Sequence, residues 1–469
     1  MSINKICSDT KEKLNSVGCG FCLAKWTQVT IHLQMGRTHS CHHPDTHIIP
    51  LEELENNPSA LHNTKFKKSK RKEMLDGKRP EECGYCWNVE DNSKQFSDRI
   101  FKSSEGWSLP LLEEIKTNKW YDDFNPRYVE VAFSNTCNFK CSYCGPSFSS
   151  QWVQESEKYG GYPTFTNFNS LDYLKRENRM PFKSSEHNPY VDAFWKWWPD
   201  LYRDLHTFRI TGGEPLLHKD TWDVLDYIIE NPNPNKELHL AINSNLGVPD
   251  ELINKFIEKI NRIEDSKKVK DFVIFTSVDG WGEQAEYGRH GMIFNKFWDN
   301  INKILSKCPT VTIGIMSTYN ALSVPSYHKL IDSVNCLKME YASIDRAWST
   351  PITLDASFLR HPLHQTVQIL PYDFSKIIKS HSERVKILKD DFHKKMDSTG
   401  CYGYTDVEVS KLERIYDWMI SPQDTKQQMI NRRDFYRFFN EHDNRRGTNF
   451  VKTFPEYEEF YNFCKEIKL

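Results

Sequence analysis

The chain reads as an α/β fold, a parallel sheet with crossover helices that forms a partial barrel or an open sheet. Between residues 125 and 345, short apolar runs alternate with helical stretches. Alternation of this kind feeds parallel strands through crossover helices. Six strand–helix units can be counted, too few for a closed eight-stranded barrel.

The strand candidates are Tyr128–Phe133, Thr207–Thr211, Leu238–Asn243, Phe272–Val278, Val311–Ser317 and Tyr341–Ile344. Each is a short, β-branched or aromatic run of the kind that packs in a sheet. Between them lie helical segments such as Lys219–Ile229, Asp250–Ile263, Phe294–Lys307 and Pro325–Cys336. The stretch from Gly145 to Asp204 interrupts the rhythm and ends in AFWKWWPDLYRDL. It reads as an insertion that caps a site or packs on the barrel rim. Residues 1–100 hold five of the cysteines singled out below and few strand-like runs. Residues 346–469 form a mostly helical, charged extension. There Thr405 and Glu408 have the spacing of a capping box. Val409, Leu412, Tyr416 and Met419 recur at helical spacing. RRDFYRFFNEHDNRRG reads as a second amphipathic helix ended by Gly447.

Composition narrows the function. The net charge of −2 over 469 residues gives no global pull toward nucleic acid or membrane. The first residues lack the apolar core of a signal peptide. No apolar run is long enough to span a bilayer. A cytoplasmic location is therefore expected. Thirteen cysteines without an export signal point to metals or chemistry rather than disulfides. Cys7, Cys308, Cys336, Cys401 and Cys464 are scattered and read as ordinary thiols. Seven of the other eight fall in two groups.

The sharper group is Cys137, Cys141 and Cys144, spaced C-x3-C-x2-C on a loop directly after the first core strand. Three close thiolates can hold three irons of a [4Fe–4S] cluster and leave the fourth iron open to a small molecule. The competing reading is zinc, which wants four ligands or three plus water. No histidine follows Cys144 before His187. The next strand runs into Thr211-Gly212-Gly213-Glu214-Pro215. Paired glycines let backbone turn sharply and approach closely. Glu214 offers a carboxylate to a cationic amine. Both motifs end strands, so both should sit at the ligand-binding end of a parallel sheet.

C-x3-C-x-aromatic-C followed by Gly-Gly-Glu-Pro resembles the radical S-adenosyl-L-methionine (SAM) superfamily. The resemblance implies a partial (β/α)6 TIM-like barrel as the core, over residues 125–345. It gives Cys137, Cys141 and Cys144 the cluster, and Gly212, Gly213 and Glu214 the methionine amine of SAM. Tyr143 takes the aromatic position beside the adenine. Asn243 and Ser244, ending the next strand, match polar contacts to the ribose. Ser277-Val278-Asp279-Gly280 is similar to a segment of peptide-modifying members. Arg289 matches an arginine that grips the SAM carboxylate.

The second group is Cys22, Cys41, Cys83 and Cys86. The pattern C-x13-G-x4-C, a gap, then C-x2-C resembles the SPASM and twitch modules, which carry auxiliary clusters. The resemblance implies a second [4Fe–4S] cluster on these four thiols. A structural zinc is the alternative. Cys19, His39, His42 and His43 read as bystanders. In most relatives the module follows the core, whereas here it precedes it. Its placement over the barrel mouth is assumed. The basic run Lys65–Lys72 reads as a solvated helix face.

The implied chemistry is reductive SAM cleavage to a 5′-deoxyadenosyl radical and hydrogen abstraction from a substrate. It needs a one-electron reductant of flavodoxin or ferredoxin type. Analogy favours a peptide or protein side chain as substrate, with a carbohydrate or nucleotide precursor second. A different class also stays open, a non-catalytic iron–sulfur or zinc scaffold or electron carrier.

Overall fold

A computed structural model describes residues 3–183, 185–396 and 400–468. Its strands are β1 (Gln28–His32), β2 (Arg37–His39), β3 (His47–Ile48), β4 (Tyr128–Ala132), β5 (Lys140–Cys141), β6 (Thr207–Thr211), β7 (His239–Asn243), β8 (Asp271–Thr276), β9 (Arg289–His290), β10 (Thr312–Tyr319) and β11 (Ile352–Phe358). Nine of them form one sheet in the order β11-β10-β8-β7-β6-β4-β1-β2-β3. Every pairing from β11 through to β1 is parallel, and β2 and β3 add on antiparallel. The sheet does not close, so the partial-barrel expectation holds.

The strands present two different faces. Val129, Val131, Phe208, Ile210, Leu240, Ile242, Ile274, Ile313 and Ile315 are buried in one large core. Helices cover that face, as expected for a parallel sheet. Alternate residues point into the concave face, and many are polar: Tyr128, Glu130, Arg209, Asn243 and Asp271 lie in paired registers across β4, β6, β7 and β8. The polar lumen is thus written into the period-two pattern of the strands.

Three expectations need correction. The sixth core strand is Ile352–Phe358, not Tyr341–Ile344. The helix before it runs on over Tyr327–Glu340, and Ile344 lies 59% exposed in the connection. A four-residue run cannot pair while its apolar residue faces water. Second, the N-terminal region does contain a core strand. β1 pairs with β4 from Gln28↔Tyr128 to His32↔Ala132. Third, AFWKWWPDLYRDL lies in the crossover helix Pro189–Asp204 between β4 and β6. Phe194, Trp197, Trp198 and Leu201 bury it in the core, with Phe194 ring-on-ring against Phe133 and Phe208. It therefore packs on the outer face of the sheet.

The basic run is also no plain solvated face. It lies in the helix Lys65–Leu75, where Lys67 and Arg71 are buried. Arg71 donates to Asn63 Oδ1 at 2.9 Å and Lys67 meets His62 Nδ1 at 2.8 Å.

Candidate active site at the strand ends

The loop carrying the three cysteines leaves the C-terminal end of β4. Cys141 lies in β5, which pairs with β9 through Cys141↔Arg289. The Gly-Gly turn after β6 packs on this loop. Gly213 N donates to Ser134 O at 3.1 Å and Glu214 N to Thr136 O at 2.7 Å. A Cβ at Gly212 would lie 2.7 Å from Ser134 O, and one at Gly213 would lie 2.3 Å from Thr136 O. Gly212 also has φ +121°. The two glycines are required because the turn and the cysteine loop touch backbone to backbone.

Glu214 is 1% exposed. Its Oε1 accepts from Ser244 Oγ at 2.8 Å and Leu216 N at 3.0 Å, and its Oε2 from Asn245 N at 2.6 Å. Burial pushes its carboxyl up to about 7 against these bonds. Asn245 reaches back to Asn138 Oδ1 at 2.8 Å. Glu214 therefore joins the ends of β6 and β7 to the cysteine loop. Two oxygens can accept about four hydrogen bonds, so one position is free for a ligand donor.

Asp279, Arg289 and Tyr143 form a second knot. Arg289 Nε and Nη2 donate to Asp279 at 2.8 and 3.1 Å. Tyr143 Oη donates to Asp279 Oδ2 at 2.8 Å and also meets Arg289. Arg289 Nη1 lies 3.6 Å from Cys141 Sγ. The guanidinium is thus already held by a carboxylate of this chain and faces a cysteine sulfur. Asn243 takes part differently from the expectation. Its Oδ1 accepts from Arg209 Nε at 2.8 Å inside the lumen.

Burial pushes all three thiols upward, Cys144 to about 12. Neighbouring sulfurs add to the rise at Cys137 and Cys144, while Arg289 opposes it at Cys141. Among the described residues no three His, Cys, Asp or Glu side chains are gathered so as to hold a metal ion. The fit to iron therefore rests on donor chemistry. Half-buried, mutually repelling thiols ionise readily only against a cationic centre, which a thiolate-ligated iron cluster supplies.

Several supports were not visible in the sequence. Gln365 exchanges two hydrogen bonds with Ser142, at 2.8 and 3.0 Å. Arg446 donates to Lys140 O at 2.9 Å and spans both oxygens of Glu155 at 3.2 Å. Trp152 Nε1 donates to Cys141 O at 3.0 Å, and Asn169 Nδ2 to Cys144 O at 3.1 Å. The C-terminal helices thus clamp the cysteine loop. A lone Gln or Arg in a helical extension carries no signal of such a long-range contact.

The other four cysteines face a common cavity. Cys22, Cys41, Cys83 and Cys86 line one cavity with Lys25 and Arg99. Burial, then the neighbouring sulfurs, pushes Cys22 up to about 12. Burial likewise takes Cys86 to about 12. Cys19 is exposed and bonds Gly77 O, outside that cavity. His43 does line it, but its Nε2 is held by Asp98 at 2.7 Å. His39 Nε2 lies 3.3 Å from His32 Nε2, and His42 lies 4.0 Å from Glu130.

The assumed position over the barrel mouth is wrong. Cys22 precedes β1, and Cys41 follows β2, which runs back antiparallel to β1. Both therefore lie toward the N-terminal strand ends, whereas Cys137, Cys141 and Cys144 follow the C-terminal end of β4. About 13 Å of five-residue strand separates the two levels.

The profile of the family described as "Radical SAM superfamily" matches residues 131–321. Similar proteins include the GTP 3′,8-cyclase of Shewanella denitrificans, 29% identical over 27% of this chain and 29% of that protein. The GTP 3′,8-cyclase of Pasteurella multocida is 27% identical over 36% of this chain and 42% of its own length. The enzyme of that name from Acaryochloris marina is 24% identical over 47% and 54%. The chain thus spans between about a third and about half of these relatives. Residues 131–321 are a radical SAM superfamily domain, of the kind that binds a [4Fe–4S] cluster and SAM.

Proposed function

We propose that this chain binds a [4Fe–4S] cluster through Cys137, Cys141 and Cys144 and uses SAM to abstract hydrogen from a substrate held in the sheet's polar lumen. The observation that carries this is that the loop bearing the three cysteines, Glu214 and the Arg289–Asp279–Tyr143 knot all lie at the C-terminal strand ends. Cys137, Cys141 and Cys144 would hold the cluster, which would supply the one electron needed for reductive cleavage of SAM.

The protein's own residues position and shield. Gly212 and Gly213 let the backbone approach the cysteine loop. Glu214 offers its remaining acceptor position to a cationic amine. Asp279 fixes the Arg289 guanidinium beside Cys141, which balances thiolate charge. Trp152 and the buried aromatics behind the loop keep water from it.

Cys22, Cys41, Cys83 and Cys86 would hold a second, auxiliary cluster in a SPASM- or twitch-like module over residues 1–100. The core expected over 125–345 takes in β1 and extends through β11 to Phe358, and the helical extension follows it. The reductant is a one-electron donor of flavodoxin or ferredoxin type. A peptide or protein side chain remains the substrate class that the cysteine pattern of the module suggests. A nucleotide is the second reading, favoured by relatives whose names place GTP as substrate.

Anaerobic purification, reconstitution with iron and sulfide, and addition of dithionite and SAM test this. Cleavage to 5′-deoxyadenosine with about eight irons per chain is expected. About four irons with cleavage would put zinc on the N-terminal thiols. No 5′-deoxyadenosine after full reconstitution would leave a scaffold or electron carrier.

A further inference from the structure

The lumen has a second end, on the far side of Arg209 from the cysteine loop. A cavity of about 290 Å³ opens among the N-terminal halves of β4, β6, β7 and β8. Its walls are flat. Tyr128 lines it and is backed by Trp107, with rings 5.9 Å apart and 27° from parallel. Phe275 and Trp348 line it with rings 5.9 Å apart. Trp348 is 42% exposed, so much of its ring still faces solvent.

The edge of the cavity is polar and incomplete. His239 Nδ1 and Asp271 Oδ2 are 2.7 Å apart. Asp271 Oδ1 is buried and has no hydrogen-bond partner. A buried carboxylate oxygen without a donor is disfavoured, so this atom calls for a donor from outside the chain. The roof is Arg209. Its guanidinium lies 4.1 Å from the Phe275 ring centroid, and its Nε donates to Asn243 Oδ1, at the SAM end of β7. Glu130 already neutralises it at 3.5 Å.

We propose that this cavity binds a planar nitrogen heterocycle of nucleobase size, which stacks on the aromatic walls and donates an N–H to Asp271 Oδ1. The proposal rests on the reading of the chain as a SAM-dependent enzyme, and it names the substrate as a nucleoside. The reasons are size, shape and charge. A volume near 290 Å³ takes one base or one side chain and is small for a peptide segment. Aromatic walls favour a flat π-system. Arg209, the guanidinium that lines the cavity, is already paired with Glu130 and so is not free for a polyphosphate. From Thr207 to Thr211 the strand rises about 13 Å. A base at the Asp271 level therefore lies about one strand length from the end that carries the cysteine loop, with Arg209 between them.

Calorimetric titration of the anaerobic, cluster-loaded protein with guanosine, adenosine and N-acetyltryptophanamide tests this. One nucleoside should bind with 1:1 stoichiometry. Asp271→Asn and Trp348→Leu should each weaken it by about tenfold or more. Trp348→Leu is the safeguard against misfolding, because Trp348 is exposed and its thermal midpoint should stay unchanged. Absence of nucleoside binding at millimolar concentration would overturn the proposal. So would binding that neither variant affects, or binding of N-acetyltryptophanamide in place of the nucleosides. The assay needs no SAM cleavage. Cleavage without nucleoside binding would sink this inference alone, and binding without cleavage would sink the enzymatic reading.

Discussion

At the residue scale, Glu214 shows how burial and hydrogen bonding compete. Three donors favour its carboxylate, yet full burial wins and raises the group to about 7. The folded state therefore holds the Glu214 proton more tightly than the unfolded chain, where a glutamate titrates near 4.5. Its stability contribution is complete below about pH 4.5 and is lost as pH rises through about 7. The difference amounts to about 3 kcal/mol across that window. Urea denaturation of the metal-free chain at several pH values should show wild-type stability falling relative to Glu214→Gln between those limits. Parallel pH profiles for the two proteins would show that Glu214 is ionised throughout. The Glu214 motif was legible in the sequence because Gly-Gly-Glu ends a strand. That the carboxylate binds Ser244 and Asn245 was not, since those bonds cross between strands.

At the scale of elements, local chemistry was readable and long-range pairing was not. The Thr405–Glu408 capping box forms as the spacing demands, and Gly447 ends its helix in the left-handed region at φ 67°. Five of six core strands fall where alternation placed them. The sixth was missed because Tyr341–Ile344 and Ile352–Phe358 are both short apolar runs, and only the latter has a free strand beside it in β10. β1 was missed for a similar reason. QVTIH is a weak run by itself, and its pairing with β4 spans a hundred residues. The turn after β6 gives the clearest mutational test at this scale. Gly213→Ala puts a Cβ 2.3 Å from Thr136 O, which forces the cysteine loop to move. It should cost about 1–3 kcal/mol and lower iron incorporation at Cys137, Cys141 and Cys144. Gly106→Ala meets nothing within 4 Å and serves as the control. Equal iron content in the two variants would mean that the turn does not set the loop.

At the scale of the whole molecule, the N-terminal cysteine region is built into the central sheet. β1 lies between β4 and β2, so the region supplies an interior strand rather than a tethered domain. Phe124 N and Asn63 Oδ1 add a bond at 3.2 Å, Arg127 N donates to Thr27 O at 2.8 Å, and Asn188 Nδ2 donates to Leu33 O at 2.9 Å. Val29, Ile31 and Leu33 are fully buried in the same core as β4 and β6. Removing residues 1–125 would strip these contacts and expose the backbone edge of β4, a template for aggregation. The two cysteine groups, at opposite strand ends, would then depend on one folding unit. Differential scanning calorimetry of the full chain should show a single cooperative transition. Ile31→Ala, which empties a fully buried position on β1, should lower that transition as a whole by about 2–5 kcal/mol. Two separate transitions, with only the first moved by Ile31→Ala, would show that the region folds by itself and merely docks. A single shifted transition would instead mean that loss of either half costs both cysteine sites together, which is what one shared sheet requires.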